Sequence, residues 1–247
     1  MKNFKIALMA LLTIALFFSS CSSDDDNNNN DSVEITVDDA AELVAVSMAG
    51  ATYGAVNNMN YVSDQIVELL DCAESQSETR TGAETSNNGE VTVSYTISES
   101  YSLTCDNGEE TIAYNFGADQ TTISNPLDTD HSIIGDWIIT GAQNTSTELT
   151  YNGSYSRNGE WTYNNQDNHT DNTIASFVYN NVKADKDDGI IFDGTSTFFI
   201  DGTSTVYEPY TYEGHIVFMV DNICVATFST GEQYQIDLNT GDVTPLQ

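Results

Sequence analysis

Basic side chains are what this sequence has least of: six Lys and Arg stand against 38 Asp and Glu, a formal net charge of −32. A surface of that sign repels phosphate backbones and anionic headgroups, which argues against nucleic acid or an anionic bilayer surface as a partner. It favours solubility and a loose atmosphere of divalent cations. Histidine is also scarce. His131, His169 and His215 are the only three, and none makes a ligand pair of the His-Glu-x-x-His type, so a surface or structural role is expected for each. The chain has no Gly-x-Ser-x-Gly elbow, phosphate loop or Gly-x-Gly-x-x-Gly fingerprint. Carboxylates are so numerous that a pair at glycosidase spacing arises by chance, so the chain reads as a non-enzyme, with a carboxylate-dependent hydrolase as a minor alternative. No Pro/Gly/Ser-rich linker divides residues 36–247, which are expected to form one domain.

At the N-terminus Lys2 and Lys5 precede an apolar run from Ile6 to Phe18, then Ser19, Ser20 and Cys21. That is the layout of a secretory signal over 1–20, too short to span a membrane as a mature helix. Ser19-Ser20-Cys21 resembles the lipobox of bacterial lipoproteins, with Phe18 where that family usually has Leu. The resemblance implies cleavage before Cys21 and acylation of it, hence a membrane partner reached through a lipid anchor. Each buried methylene adds about 0.8 kcal/mol, so several acyl chains hold where one would not. The polar run that follows, Ser22-Ser23-Asp24-Asp25-Asp26 with four Asn and Asp31, makes 21–35 a flexible acidic tether. It resembles the export signal of surface-displayed lipoproteins of the Bacteroidota, which implies an outer-membrane, cell-surface location; a periplasm-facing spacer is the alternative. Asp31-Ser32-Val33 is similar to that phylum's O-glycosylation sequon, with Ser32 as acceptor. Removing the signal leaves Arg80, Arg157, Lys183 and Lys186 against all 38 acidic residues, a surplus of 34 negative charges.

Cys72, Cys105 and Cys224 remain in a chain bound for an oxidising compartment. One disulfide and one thiol is the simplest count, and Cys72 with Cys105 is favoured because each ends an expected element beside polar loop.

The fold class is expected to be α+β, mainly β: one long N-terminal helix on a large curved antiparallel meander of about ten to twelve strands. Val44, Met48, Ala51, Ala55, Met59, Val62, Ile66 and Leu69 recur at helical spacing, predicting a helix over 39–70 opened by an Asp39/Glu42 capping box. Asn57, Asn58 and Asn60 mark an expected break near 57–60. Ala49, Gly50, Ala51, Gly54 and Ala55 make a thin stretch where another backbone can approach. Residues 72–89 read as a long exposed loop. From Val91 the period becomes 2, and Asn158-Gly159, Asp193-Gly194 and Asp201-Gly202 read as hairpin turns, the last two as an echo within a meander. Two-residue turns at Asp221-Asn222 and Thr230-Gly231 would put Phe218, Val220, Ile223, Val225, Ile236 and Leu238 on one face, with Cys224 opposite. The outline is similar to the lipoprotein-carrier fold and other helix-in-bent-sheet rolls, in element order only.

Tyr151, Tyr155, Trp161 and Tyr163 flank Asn158-Gly159 and are the candidate glycan contacts, although a hairpin there splits them between two faces and pairs Arg157 with Glu160 at the surface. Asp185, Asp187 and Asp188 before Gly189 are weak calcium ligands without the EF-hand order, and Asp167 to Asn172 is similar; no other cofactor is expected. The expected function is a non-catalytic binding or structural module for a glycan or surface protein. The alternative is a carrier holding an apolar ligand between helix and sheet.

Overall fold

The computed structural model describes residues 35–67, 71–85, 91–124, 127–163 and 169–246. Helix α1 (Val37–Met48) is capped by Thr36, whose hydroxyl accepts from Asp39 N at 3.2 Å while the Asp39 carboxylate accepts from Thr36 N at 2.8 Å. The capping box thus sits three residues upstream of the expected Asp39/Glu42 pair. A 3-10 turn (Gly50–Thr52), helix α2 (Ala55–Tyr61) and a π turn (Val62–Ile66) follow. The single long helix is therefore corrected to short pieces, and the break falls at 49–54, not at 57–60.

Its cause is tertiary. Ala49 turns extended, and the amides of Gly50 and Ala51 donate to Leu238 O at 2.8 Å and Asn239 O at 3.0 Å instead of to the helix. Gly54 then passes so close to the end of α1 that a Cβ there would lie 2.6 Å from Ser47 O. The thin Ala/Gly stretch is where the chain folds back under another backbone.

Eleven antiparallel strands follow in strict sequence order: β1 (Ser75–Thr85), β2 (Val91–Asp106), β3 (Glu109–Ser124), β4 (Leu127–Thr140), β5 (Glu148–Tyr163), β6 (Thr170–Asp185), β7 (Ile191–Ser204), β8 (Tyr210–Met219), β9 (Ile223–Phe228), β10 (Gln233–Asp237) and β11 (Val243–Leu246). The meander is as expected, but its strands are far longer. Asn158-Gly159 lies inside β5, and both Asp-Gly pairs lie inside β7. Gly159 and Gly202 serve packing rather than turns, as do Gly82, Gly135 and Gly214: in the register pairs Tyr95–Gly82, Phe116–Gly135, His131–Gly159, Phe198–Gly214 and Tyr210–Gly202, the ring occupies the space a Cβ on the glycine would need. A cross-strand ring lying over a glycine pins register and shields the backbone. Gly194 does have a conformational role, at φ +111°, in the irregular pairing of β6 with β7.

Residues 75–85, expected as loop, form edge strand β1, paired with β2 throughout but exposed at most positions. Without an apolar face it leaves no periodic signal. Cys72 and Cys105 are joined by a disulfide at the start of this hairpin, 33 residues apart. At the other end the hairpin loops have one residue more than expected: Met219 pairs with Ile223 and Phe218 with Cys224. One added residue turns β9 over, so Cys224 is buried and Val220 exposed.

The inner face of the sheet wraps the helical segment. Bonds reach that segment from β1 (Tyr61 Oη to Glu78, 2.6 Å), β3 (Gln120 Nε2 to Thr52 O, 3.3 Å), β5 (Tyr151 Oη to Met59 O, 3.1 Å), β6 (Tyr179 Oη to Met48 Sδ, 3.1 Å) and β10 (Tyr234 Oη to Asp38, 2.5 Å). From β8, Tyr212 Oη donates to Ile35 O. Helix α1 is accordingly buried on more than one stripe, at Ala40, Ala41, Leu43, Val44, Ala45, Ser47 and Met48, as a helix enclosed by its own domain should be.

Candidate functional site

Cross-strand rows on the inner face change character along the strands. Tyr114–Trp137–Gly153–Tyr179 and Phe116–Gly135–Tyr155–Phe177–Phe198 are aromatic rows, whereas Gln120–His131–Gly159–Thr173–Gly202–Tyr210 and Thr122–Thr129–Trp161–Asp171–Ser204 are polar. Between them runs Ala118–Ile133–Arg157–Ala175–Ile200. Polar groups are thus collected at one end of an enclosed face, where each needs a partner or costs stability.

Arg157 is the centre of this end. Its guanidinium is buried, 3% exposed, and donates from Nε to His131 Nδ1 at 2.9 Å and from Nη1 to Val46 O in α1 at 3.0 Å. Arginine stays protonated, so His131 Nδ1 must be the acceptor and the ring proton sits on Nε2. Burial first, and the Arg157 charge second, hold the imidazole down at a pKa of about 2, so it is neutral. The Trp161 ring lies 4.6 Å from the His131 ring and 5.8 Å from the guanidinium carbon. Among the described residues no carboxylate pairs with Arg157. On the β6 side of Trp161, Thr173 and Tyr210 share a 2.8 Å hydroxyl bond, and burial raises the Asp171 carboxyl above its ordinary range.

The expected surface ion pair of Arg157 with Glu160 is corrected by this arrangement. In an uninterrupted β5 the two residues face opposite sides, with Arg157 buried and Glu160 exposed. Tyr151, Tyr155 and Trp161 all point inward and are buried, so they are no exposed platform; the Tyr163 side chain lies outside the described ones.

A second polar cluster is self-contained. The Glu99 carboxylate receives Arg80 Nε and Tyr114 Oη, both at 2.5 Å, and the Arg80 guanidinium stacks 3.5 Å over the Tyr61 ring. Every strong group there has its partner, so it reads as the lock of edge strand β1.

The calcium candidates sit in the turn between β6 and β7, where Asp185 and Asp188 accept from the amides of Asp187 and Ile190 at 2.8 and 3.0 Å. Those carboxylates cap their own turn, and among the described residues they do not converge on a common point; the one convergent group, Cys72, Cys105 and Glu110, has its sulfurs bonded to each other. Asp167 and Asn168 lie outside the described residues, as do Cys21 and Ser32. Burial pushes the Cys224 thiol up to about 12, so it is unreactive.

The outer face carries scattered exposed apolar side chains, among them Ile134, Val178, Phe199 and Val217. A depression of about 470 Å³ there is lined by Ser176, Val178, Thr197, Phe199, Glu213 and His215. Compared with protein-family models and with curated proteins, the chain matches none.

Proposed function

We propose that this chain is an acyl-anchored, non-catalytic binding or structural module, held at the outer membrane through Cys21 and displayed on the cell surface, which meets a glycan or protein partner through the outer face of its sheet. The observation that carries this reading is the occupied interior. Val44, Met48, Ala55, Met59, Val62 and Ile66, the stripe a carrier would turn toward an apolar ligand, are completely buried against the sheet. A carrier would have to expel that segment first. The outer depression, with one exposed ring among hydroxyls, a carboxylate and an imidazole, offers the mixed surface on which a neutral partner can rest. A hydrolase is disfavoured because Asp171, a carboxyl raised by burial, is enclosed at 2% exposure.

Protease treatment of intact cells is expected to remove the C-terminal strands while a periplasmic control survives, and Cys21→Ser is expected to move the protein from the membrane to the soluble fraction. Organic extraction of the purified protein should release no stoichiometric apolar ligand beyond the anchor. Survival of the strands would place the domain inside the envelope, and one equivalent of lipid per chain would favour the carrier.

A further inference from the structure

Phe199 is the exposed ring of the outer depression, 45% exposed, and the register of three strands sets what surrounds it. On β7 it stands directly opposite Ser176 of β6 and Glu213 of β8, and two residues back Thr197 stands between Val178 and His215. Beyond the last β8–β9 pair, Gly214 with Phe228, Ser229 donates its amide to Glu213 O at 2.9 Å and lines that side of the depression. Glu213 meets no cation among the described residues. Arg80 and Lys183 pair with Glu99 and Glu148, Arg157 is buried on the inner face, and Lys186 donates to Ala142 O and Gln143 O. The same face lacks the contiguous apolar centre on which a protein interface is built. Along the row Ile134–Ser156–Ser176–Phe199 two serines, their hydroxyls 3.3 Å apart, separate the apolar side chains. Along Asp136–Ser154–Val178–Thr197–His215 polar side chains stand on both sides of Val178. A pyranose ring presents one patch of C–H groups rimmed by hydroxyls. A single aromatic face bordered by a carboxylate, an imidazole and hydroxyls is the complement of that shape.

We infer that the depression around Phe199 is a subsite for a neutral glycan, in which one pyranose unit stacks its C–H face on the Phe199 ring, Glu213 accepts from its hydroxyls, and His215 and Thr197 are further polar partners. The inference rests on the reading of the outer face as the binding surface, and it selects the glycan over the protein partner. Hydrogen bonds from sugar hydroxyls to a carboxylate are charge-assisted and stronger than those to a neutral acceptor. Uronic, sialic and sulfated sugars are excluded by the unpaired Glu213 carboxylate and by a chain of net charge −32.

The test is calorimetric titration of the mature full-length protein in detergent with neutral hexasaccharides, α- and β-linked glucan, β-mannan and β-xylan, against hexagalacturonate as the acidic control. At least one neutral hexasaccharide is expected to bind saturably at millimolar concentration or below, and hexagalacturonate not at all. Phe199→Ala and Phe199→Leu should each weaken binding about tenfold, whereas Phe199→Trp should retain it, because stacking needs a flat face and apolar contact alone does not. Glu213→Gln should weaken it about three- to tenfold by taking the charge from the acceptor. Both side chains are exposed, so these variants are expected to fold. A Phe199→Leu variant that binds as tightly as the wild type overturns the stacking subsite. Saturable sugar binding that none of the variants changes overturns this site and leaves a glycan-binding module. Binding of no neutral hexasaccharide overturns the inference; if intact cells still lose the C-terminal strands to protease, the displayed module stands with a protein partner instead. Oligolysine binding that Phe199→Ala abolishes, with no sugar bound, overturns it in favour of a cationic partner.

Discussion

Replacing Trp137 by Ala is expected to cost about 3–5 kcal/mol of unfolding free energy, while Ile134→Ala, three residues earlier on the same strand, should change it by no more than about 0.5 kcal/mol. Strand β4 alternates without a fault from His131 to Thr140, so Trp137 points inward at 0% exposure and Ile134 outward at 64%. The indole meets Tyr114 at 5.8 Å and Phe116 at 5.0 Å from β3, Tyr151 at 5.8 Å from β5 and Tyr179 at 6.1 Å from β6, three of the four edge-on. Edge-on pairs add about 0.5–1.5 kcal/mol each beyond burial, and a cavity left among four rings cannot close without moving three strands. Trp137→Phe should lose much less, because it also removes an indole N–H that is buried with no partner among the described residues. Urea unfolding at constant m-value measures all three variants. Similar losses for Trp137→Ala and Ile134→Ala would contradict the assignment of the two faces.

Converting Cys72 and Cys105 together to Ser is expected to cost about 3–4 kcal/mol, the loop-closure entropy of a crosslink spanning 33 residues. The bridge sits at the mouth of the β1–β2 hairpin, and β1 has β2 as its sole strand neighbour among the described residues. Beyond the bridge, β1 is held mainly by its ladder and by Arg80, bonded to buried Glu99 and stacked on Tyr61. Urea unfolding with and without reductant gives the magnitude, and limited trypsin digestion at Arg80 shows where the loss is felt. Faster cleavage at Arg80 together with a lower global midpoint is the expected result. A midpoint that reductant does not move would mean that β1 folds and unfolds independently of the rest.

The broad class was legible because period 2 is a strong signal, and the alternation from Val91 onward implies an antiparallel meander, here the ten strands β2 to β11. The misreadings have local physical causes. Asn-Gly and Asp-Gly are written with the same letters whether glycine makes a turn or makes room for a ring on the next strand, and here Gly159 and Gly202 lie under His131 and Tyr210. The break in the helix depends on carbonyls of Leu238 and Asn239, nearly two hundred residues away in sequence, which no local propensity contains. Strand β1 has no apolar face to announce it. The face of β9 turned on a single residue of loop length. As for the site, Arg157 read as a surface residue because Glu160 stood at hairpin spacing; had β5 been taken as continuous, its shared parity with Tyr155 and Trp161 would have placed all three inward. What parity could never show is that Val46 and His131 arrive beside the guanidinium, since those contacts are made by α1 and β4.

The helical segment is the core of the sheet and not a cover over a ligand cavity. Hydrogen–deuterium exchange of the native protein, resolved to peptides covering 37–48 and 55–66, tests it most directly. These amides are expected to exchange only through global unfolding, as slowly as those of β4 to β6. Exchange orders of magnitude faster than in those strands would show a segment that opens on its own, and would contradict it.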